Sequence, residues 1–159
     1  NGNYESKKSI NYKVVERSVD KVVKVGTGGF GYSGPSVPGT GRFAWPSASR
    51  NITCGWYCYP GHAAIDIQSW YGGPVYAADN GTVSSAGWQG YPGNAITINH
   101  GNGFTTKYYH LAGFSVRAGQ NVRKGQLIGF EGSTGNSTGH HLHFEILYYG
   151  VPQNPLRYY

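Results

Sequence analysis

The stretch from Asn94 to Leu111, "NAITINHGNGFTTKYYHL", decides the fold. Two runs rich in β-branched and aromatic residues, 94–100 and 104–111, flank Gly101, Asn102 and Gly103. Two such runs joined by a three-residue loop containing Gly read as a β-hairpin. Outward from it, the same texture recurs: candidate strands fall at 63–68, 74–77, 80–88, 121–131 and 141–149, punctuated by Gly, Asn and Pro. No segment sustains a helical period with caps at its ends, so very little helix is expected. The chain reads as all-β, with antiparallel strands arranged as a sheet roll or sandwich.

Composition agrees with that reading. The 159 residues include 26 Gly, 14 Tyr and 4 Trp, no Met, and only 13% charged residues, a mix suited to short strands and tight turns. This length supports one principal core. The Gly/Pro-rich stretch 26–41, with seven Gly and two Pro, reads as a linker. It separates a β-branched, charged segment at 1–25 from a domain at 42–159. No apolar run approaches the ~18 residues of a membrane span, so none is expected. The net charge of +6 favours polyanions such as nucleic acid, acidic membranes or anionic wall polymers. Six of the 13 basic residues lie within the first 24 positions, interspersed with Glu5, Glu16 and Asp20. That pattern is a solvated strand surface, and with no nucleic-acid motif present, no nucleic-acid partner is expected.

Six histidines are unusual in a chain so poor in charge, and three of them fall in "GHHLHFE", residues 139–145. Side chains alternate across a strand, so His141, His143 and Glu145 share one face while Leu142, Phe144 and Ile146 take the other. Two imidazoles on one face can bind metal or carry protons near neutral pH. His62 and Asp66 form a second piece, "HAAID". In a straight strand their Cα atoms would stand about 13 Å apart, too far for one zinc: either the chain bends, which Gly61, Ala63 and Ala64 would permit, or the pair is unrelated, the reading the motif favours when taken alone. A third piece is His110, which ends one arm of the hairpin.

Cys54 and Cys58, the only cysteines, lie four apart in "CGWYC", with His62 four residues beyond. A local disulfide is the first reading and implies an oxidising, extracytoplasmic setting. A metal held by both thiolates and His62 is the competing one.

Taken together, "HAAID" (62–66), "TKYYHL" (106–111) and "GSTGNSTGHHLHFE" (132–145) resemble, in the same order, the motifs of the lysostaphin/LytM-type zinc endopeptidases, which cut peptide bonds in bacterial peptidoglycan. The resemblance extends over about residues 44–149. It implies a groove holding one Zn2+ on His62, Asp66 and His143, with His110 and His141 as catalytic histidines. It further implies hydrolysis of stem or cross-bridge peptides by zinc-activated water in a secreted or wall-associated, monomeric protein. Three protein ligands leave one tetrahedral position open, as in catalytic zinc sites. A catalytically silent wall-binding or scaffolding domain of the same fold is the alternative.

Around these positions, Glu145 is expected to orient a neighbouring histidine. Tyr108 is read either as a substrate hydrogen-bonder or as a packed strand residue. His100 is expected to be a turn residue, and His140, where the family usually has Pro, a structural or rim residue. The aromatic "ITCGWYCYPGH" stands where relatives often carry an Arg, which puts substrate preference in question. The segment before the linker resembles the tail of a small surface β module, so the chain is expected to be a piece of a longer protein.

Overall fold

The computed structural model describes residues 34–159. The expected module tail at 1–25 and the first half of the linker lie outside them. Within the described residues there are eleven strands and one short 3-10 turn: β1 (Ile52–Cys54), β2 (Ile65–Ile67), β3 (Pro74–Tyr76), β4 (Gly81–Trp88), β5 (Asn94–Asn99), β6 (Phe104–Tyr109), β7 (Gly113–Phe114), β8 (Asn121–Val122), β9 (Leu127–Phe130), β10 (Leu142–Tyr148), β11 (Val151–Gln153) and the turn Pro155–Tyr158. An eight-stranded sheet runs β1-β2-β10-β6-β5-β4-β8, with β11 beside the second half of β10, and a three-stranded sheet runs β3-β9-β7. All named pairings are antiparallel.

The hairpin forms as its sequence dictates. Ile96 faces Tyr108 and Ile98 faces Thr106, and the His100 amide closes the loop on Phe104 O at 3.0 Å. The loop spans four residues, 100–103, rather than three. Alternation then sorts the side chains: Ile96, Ile98, Tyr108, Phe144 and Ile146 are fully buried. They share one core cluster with Val75 and Ile128 from the smaller sheet. Each large side chain removed from water contributes about 1.5–3 kcal/mol.

The expected strand 121–131 is corrected to two. Gly125, at φ 77°, lies in a tight turn closed by Gln126 N on Arg123 O, and the chain changes sheets there. β8 joins the edge of the large sheet beside β4, whereas β9 is the centre of the small one. The two- and three-residue strands β1, β7 and β11 were not legible, being too short to show alternation.

The described part of the linker forms no strand, yet several of its groups are held. Gly39 N donates to His100 O, Gly41 N donates to Asp79 Oδ2 at 2.9 Å, and Gly34 O accepts from Asn121 Nδ2. The buried Asp79 also meets Lys124 Nζ at 3.4 Å. No helix among the described residues is long and apolar enough to cross a membrane.

Candidate metal centre and active site

β10 sits between β2 and β6, with His143 opposite both Asp66 and Tyr109. This register carries the third motif to the first. His62 follows Gly61, at φ 88°, and lies before β2 begins. The chain therefore bends between His62 and Asp66, and their side chains meet at 3.0 Å (Nε2 to Oδ1). His143 Nδ1 approaches the same Oδ1, also at 3.0 Å. The three donor atoms lie within 4.8 Å of one another.

The outer nitrogen of each ring has its own acceptor. His62 Nδ1 lies 3.3 Å from Gly55 O, and His143 Nε2 lies 3.3 Å from Glu145 Oε1, a carboxylate also bound by Lys107 at 3.2 Å. A neutral imidazole has one N–H. With that proton on the outer partner, each ring turns a lone pair toward the Asp66 oxygen, and three lone pairs converge. Ligating histidines characteristically have such outer partners. Two nitrogen or oxygen donors of a tetrahedral zinc lie about 3.4 Å apart, close to these separations, so the set fits a zinc ion.

Without a cation the same groups stabilise one another. Burial pushes the Asp66 carboxyl up, but hydrogen bonds from His143 and His62 outweigh it and hold the acid below its ordinary value. Burial pulls His143 down, and Asp66 with Glu145 more than reverses that.

His110 and His141 stand beside this cluster. Their ring centroids are 4.9 Å apart, and His141 Nε2 is 3.8 Å from Asp66 Oδ1. Each commits Nδ1 to a backbone carbonyl, His110 to Thr134 O and His141 to Gly139 O, both at 2.9 Å. That fixes the proton on Nδ1 and leaves Nε2 without a carbonyl partner. Burial lowers the His110 pKa, and the neighbouring His141 and His143 lower it further against the Thr134 hydrogen bond.

His110 reaches the site because the strand stops. Its φ of 64° is left-handed, a conformation in which His is enriched among non-glycine residues. Tyr108, two residues earlier and of the same parity, stays on the core side. It is fully buried, packs on Phe144, and its hydroxyl accepts from Ala78 N and shares a hydrogen bond with Thr106 Oγ1, both at 2.9 Å. Of its two sequence readings, the packed one is realised. Tyr109 instead faces the histidines, stacked on His143 at 5.2 Å and 6°. Sequence reasoning missed it because its side of the sheet follows from the register with His143.

Gly132 brings the returning chain against His110 and Leu111, where a Cβ would overlap their backbone. His141 N then bonds Gly132 O at 3.1 Å. His140 turns away and meets the buried Glu131 at 3.0 Å, while Ser69 N meets the same carboxylate at 2.9 Å. His100 lies at the hairpin turn but is fully enclosed, bonded to Asn80 O at 2.6 Å and Thr106 Oγ1 at 2.9 Å. Cys54 and Cys58 are joined as a disulfide, with both sulfurs against His62 Nδ1. Exposed aromatics crowd the loops after β1, β2 and β4: Tyr57 and Tyr59, Trp70 and Tyr71, and Tyr91.

An antiparallel β scaffold that gathers His, Asp and His donors beside two further histidines defines the class: an all-β domain with a candidate metal centre. The profile of peptidase family M23 matches residues 60–155, more than half the chain, and the chain belongs to that family. The DD-carboxypeptidase/endopeptidase Mpg of Neisseria meningitidis is 48% identical over 95 residues, which are 60% of this chain and 22% of Mpg. A zinc-containing peptidase from Vibrio cholerae superposes with a TM-score of 0.65 at 36% identity, over 69% of this chain and 37% of that one. Lysostaphin of Staphylococcus simulans, described as an antimicrobial peptidase, gives 0.65 at 34%, over 71% and 52%. The chain thus spans about a fifth of the length of Mpg.

Proposed function

We propose that this chain is a zinc metalloendopeptidase that hydrolyses peptide bonds of bacterial peptidoglycan outside the cytoplasm, as a monomeric domain. The observation that carries the reading is the convergence of His62 Nε2 and His143 Nδ1 on one Asp66 oxygen, each 3.0 Å away, beside two histidines whose Nε2 atoms are left uncommitted by carbonyls at Nδ1. His62, Asp66 and His143 would hold the ion. When bound, zinc would supply Lewis acidity, polarising the scissile carbonyl and making water acidic enough to attack near neutral pH.

The remaining work falls to this chain's own side chains. His110, kept neutral by burial, accepts the water proton at Nε2. His141, when it carries a proton on Nε2 as well as on Nδ1, donates a hydrogen bond to the oxygen that becomes negative as the carbonyl is attacked. Tyr109 braces the His143 ring from its face, and Glu145 fixes its tautomer through Nε2. The exposed aromatics on the flanking loops offer flat apolar surfaces to an extended substrate.

The test is incubation of the zinc-loaded protein with purified walls of defined cross-bridge type, followed by identification of the new amino termini. New termini that vanish with a chelator and return with zinc are expected. Walls bound without cleavage, by metal-loaded folded protein, would instead identify a silent wall-binding module.

A further inference from the structure

His62 belongs to two sets of donors on opposite edges of one ring. Its Nε2 edge faces Asp66 and His143; its Nδ1 edge faces Cys58 Sγ at 3.5 Å and Cys54 Sγ at 3.6 Å. Both trios keep their donor atoms within 4.8 Å of one another. In a tetrahedral zinc site with Zn–S of about 2.3 Å and Zn–N of about 2.0 Å, a sulfur and a nitrogen lie about 3.5 Å apart, and two sulfurs about 3.8 Å. The sulfur-to-nitrogen distances already match. Only the bonded sulfurs must separate, and the two Cα atoms, 5.7 Å apart, leave room for that by side-chain rotation.

We propose that the Cys54–Cys58 disulfide masks a second metal site, made of both cysteine sulfurs and His62 Nδ1, which takes zinc or another thiophilic divalent ion once the bond is reduced. The inference rests on the reading of His62 as a ligand of the first site, and it makes the two sites rivals. A neutral imidazole offers one lone pair, and here either nitrogen has an acceptor ready for the N–H when the other binds metal. Gly55 O takes it at 3.3 Å when Nε2 is the ligand; Asp66 Oδ1 takes it at 3.0 Å when Nδ1 is. Two thiolates and an imidazole outbid a carboxylate and imidazoles for a borderline-soft ion. Reduction therefore withdraws His62 from Asp66 and His143.

The electrons balance simply. Two equivalents of a thiol supply two electrons and two protons, the S–S bond breaks into two cysteine thiols, and the reductant leaves as its own disulfide. Metal binding then displaces the two thiol protons. Cys58 is exposed, so a reductant has access, while Cys54 is half-buried beside the enclosed His62.

Cobalt(II) reports which site is filled, because thiolate ligation gives an intense near-ultraviolet charge-transfer band that imidazole and carboxylate do not. The protein is titrated with cobalt before and after reduction by a phosphine, which is oxidised to its oxide with oxygen taken from water. Expected are one ion per chain in both states, the band only after reduction, its survival in His143→Ala and its loss in Cys58→Ser. A reduced wild type that binds cobalt without the band, or binds none, overturns the second site. The band together with two ions per chain overturns the rivalry. Oxidised protein that binds no cobalt, with a band still gained on reduction, leaves the second site standing and sinks the Asp66–His143 reading instead.

Discussion

The two ends of the β5–β6 hairpin each enclose a histidine, and they use it differently. His100, at the loop, has Asn80 O on one ring nitrogen and Thr106 Oγ1 on the other, so nothing is left for a ligand. His110, at the open end, has Thr134 O on Nδ1, and its ring lies 4.9 Å from that of His141 and 5.9 Å from that of His143. Burial is nearly the same for both. What separates the two is therefore a count of unspent ring nitrogens, and under the proposed function only His110 keeps one for chemistry. Enclosure alone does not separate them.

Exchanging each ring for alanine is the strongest way to break that contrast. His110→Ala is expected to lower kcat of the folded protein by about 10²–10⁴-fold, the usual weight of a proton-transfer residue, with metal content held. Wall hydrolysis, metal analysis and thermal unfolding of one preparation decide it, and loss of the metal would mean that His110 is a ligand. His100→Ala is expected to do the reverse. Stranding Asn80 O and Thr106 Oγ1 and opening a cavity costs about 2–4 kcal/mol of stability, read from denaturant unfolding, while the folded fraction keeps its kcat.

A smaller effect sharpens the assignment of the neighbouring tyrosines. Tyr108→Phe removes the acceptor of Ala78 N and a hydrogen-bond partner of Thr106 Oγ1 and should cost about 1–2 kcal/mol with KM unchanged. A raised KM would return Tyr108 to the groove.

The smallest effect is in pH dependence. Burial depresses the His100 pKa against the Asn80 carbonyl and the Asp79 charge, so the folded state takes up its proton later than the unfolded chain as pH falls. This group's contribution is thus intact above the ordinary histidine value of about 6.5 and is lost progressively below it. His100→Gln should flatten that slope in Tm against pH. In the same direction, the acid limb of kcat should fall below an ordinary histidine pKa, because His110 is held neutral.

How much of this was legible varies with the physics. Alternation in "HHLHFE" put His143 and Glu145 opposite Leu142 and Phe144, because the pleat has a period of two whatever the strand's neighbours are. The His62–Asp66 spacing looks too long for one ion in a straight strand, and the chain takes the bend that Gly61 permits, with His62 N on Tyr59 O and Ala63 N on Gly61 O. Tyr108 stayed ambiguous and Tyr109 invisible, since the parity of one strand says nothing about its partner until register is known. Glu131 was missed for the same reason: its partners, His140 and Ser69, come from separate loops.

By itself, then, the sequence determined an all-β domain, the hairpin at its centre, the sided strand of histidines and the order of three motifs, all carried by local periodicity and turn chemistry. Tertiary structure alone decided that β10 lies between β2 and β6, bringing residues 66, 109 and 143 into one row, and that a left-handed His110 leaves its strand to face them. Which side chains meet depends on strand pairing and on a backbone conformation imposed by packing, and neither is written in the spacing of residues along the chain.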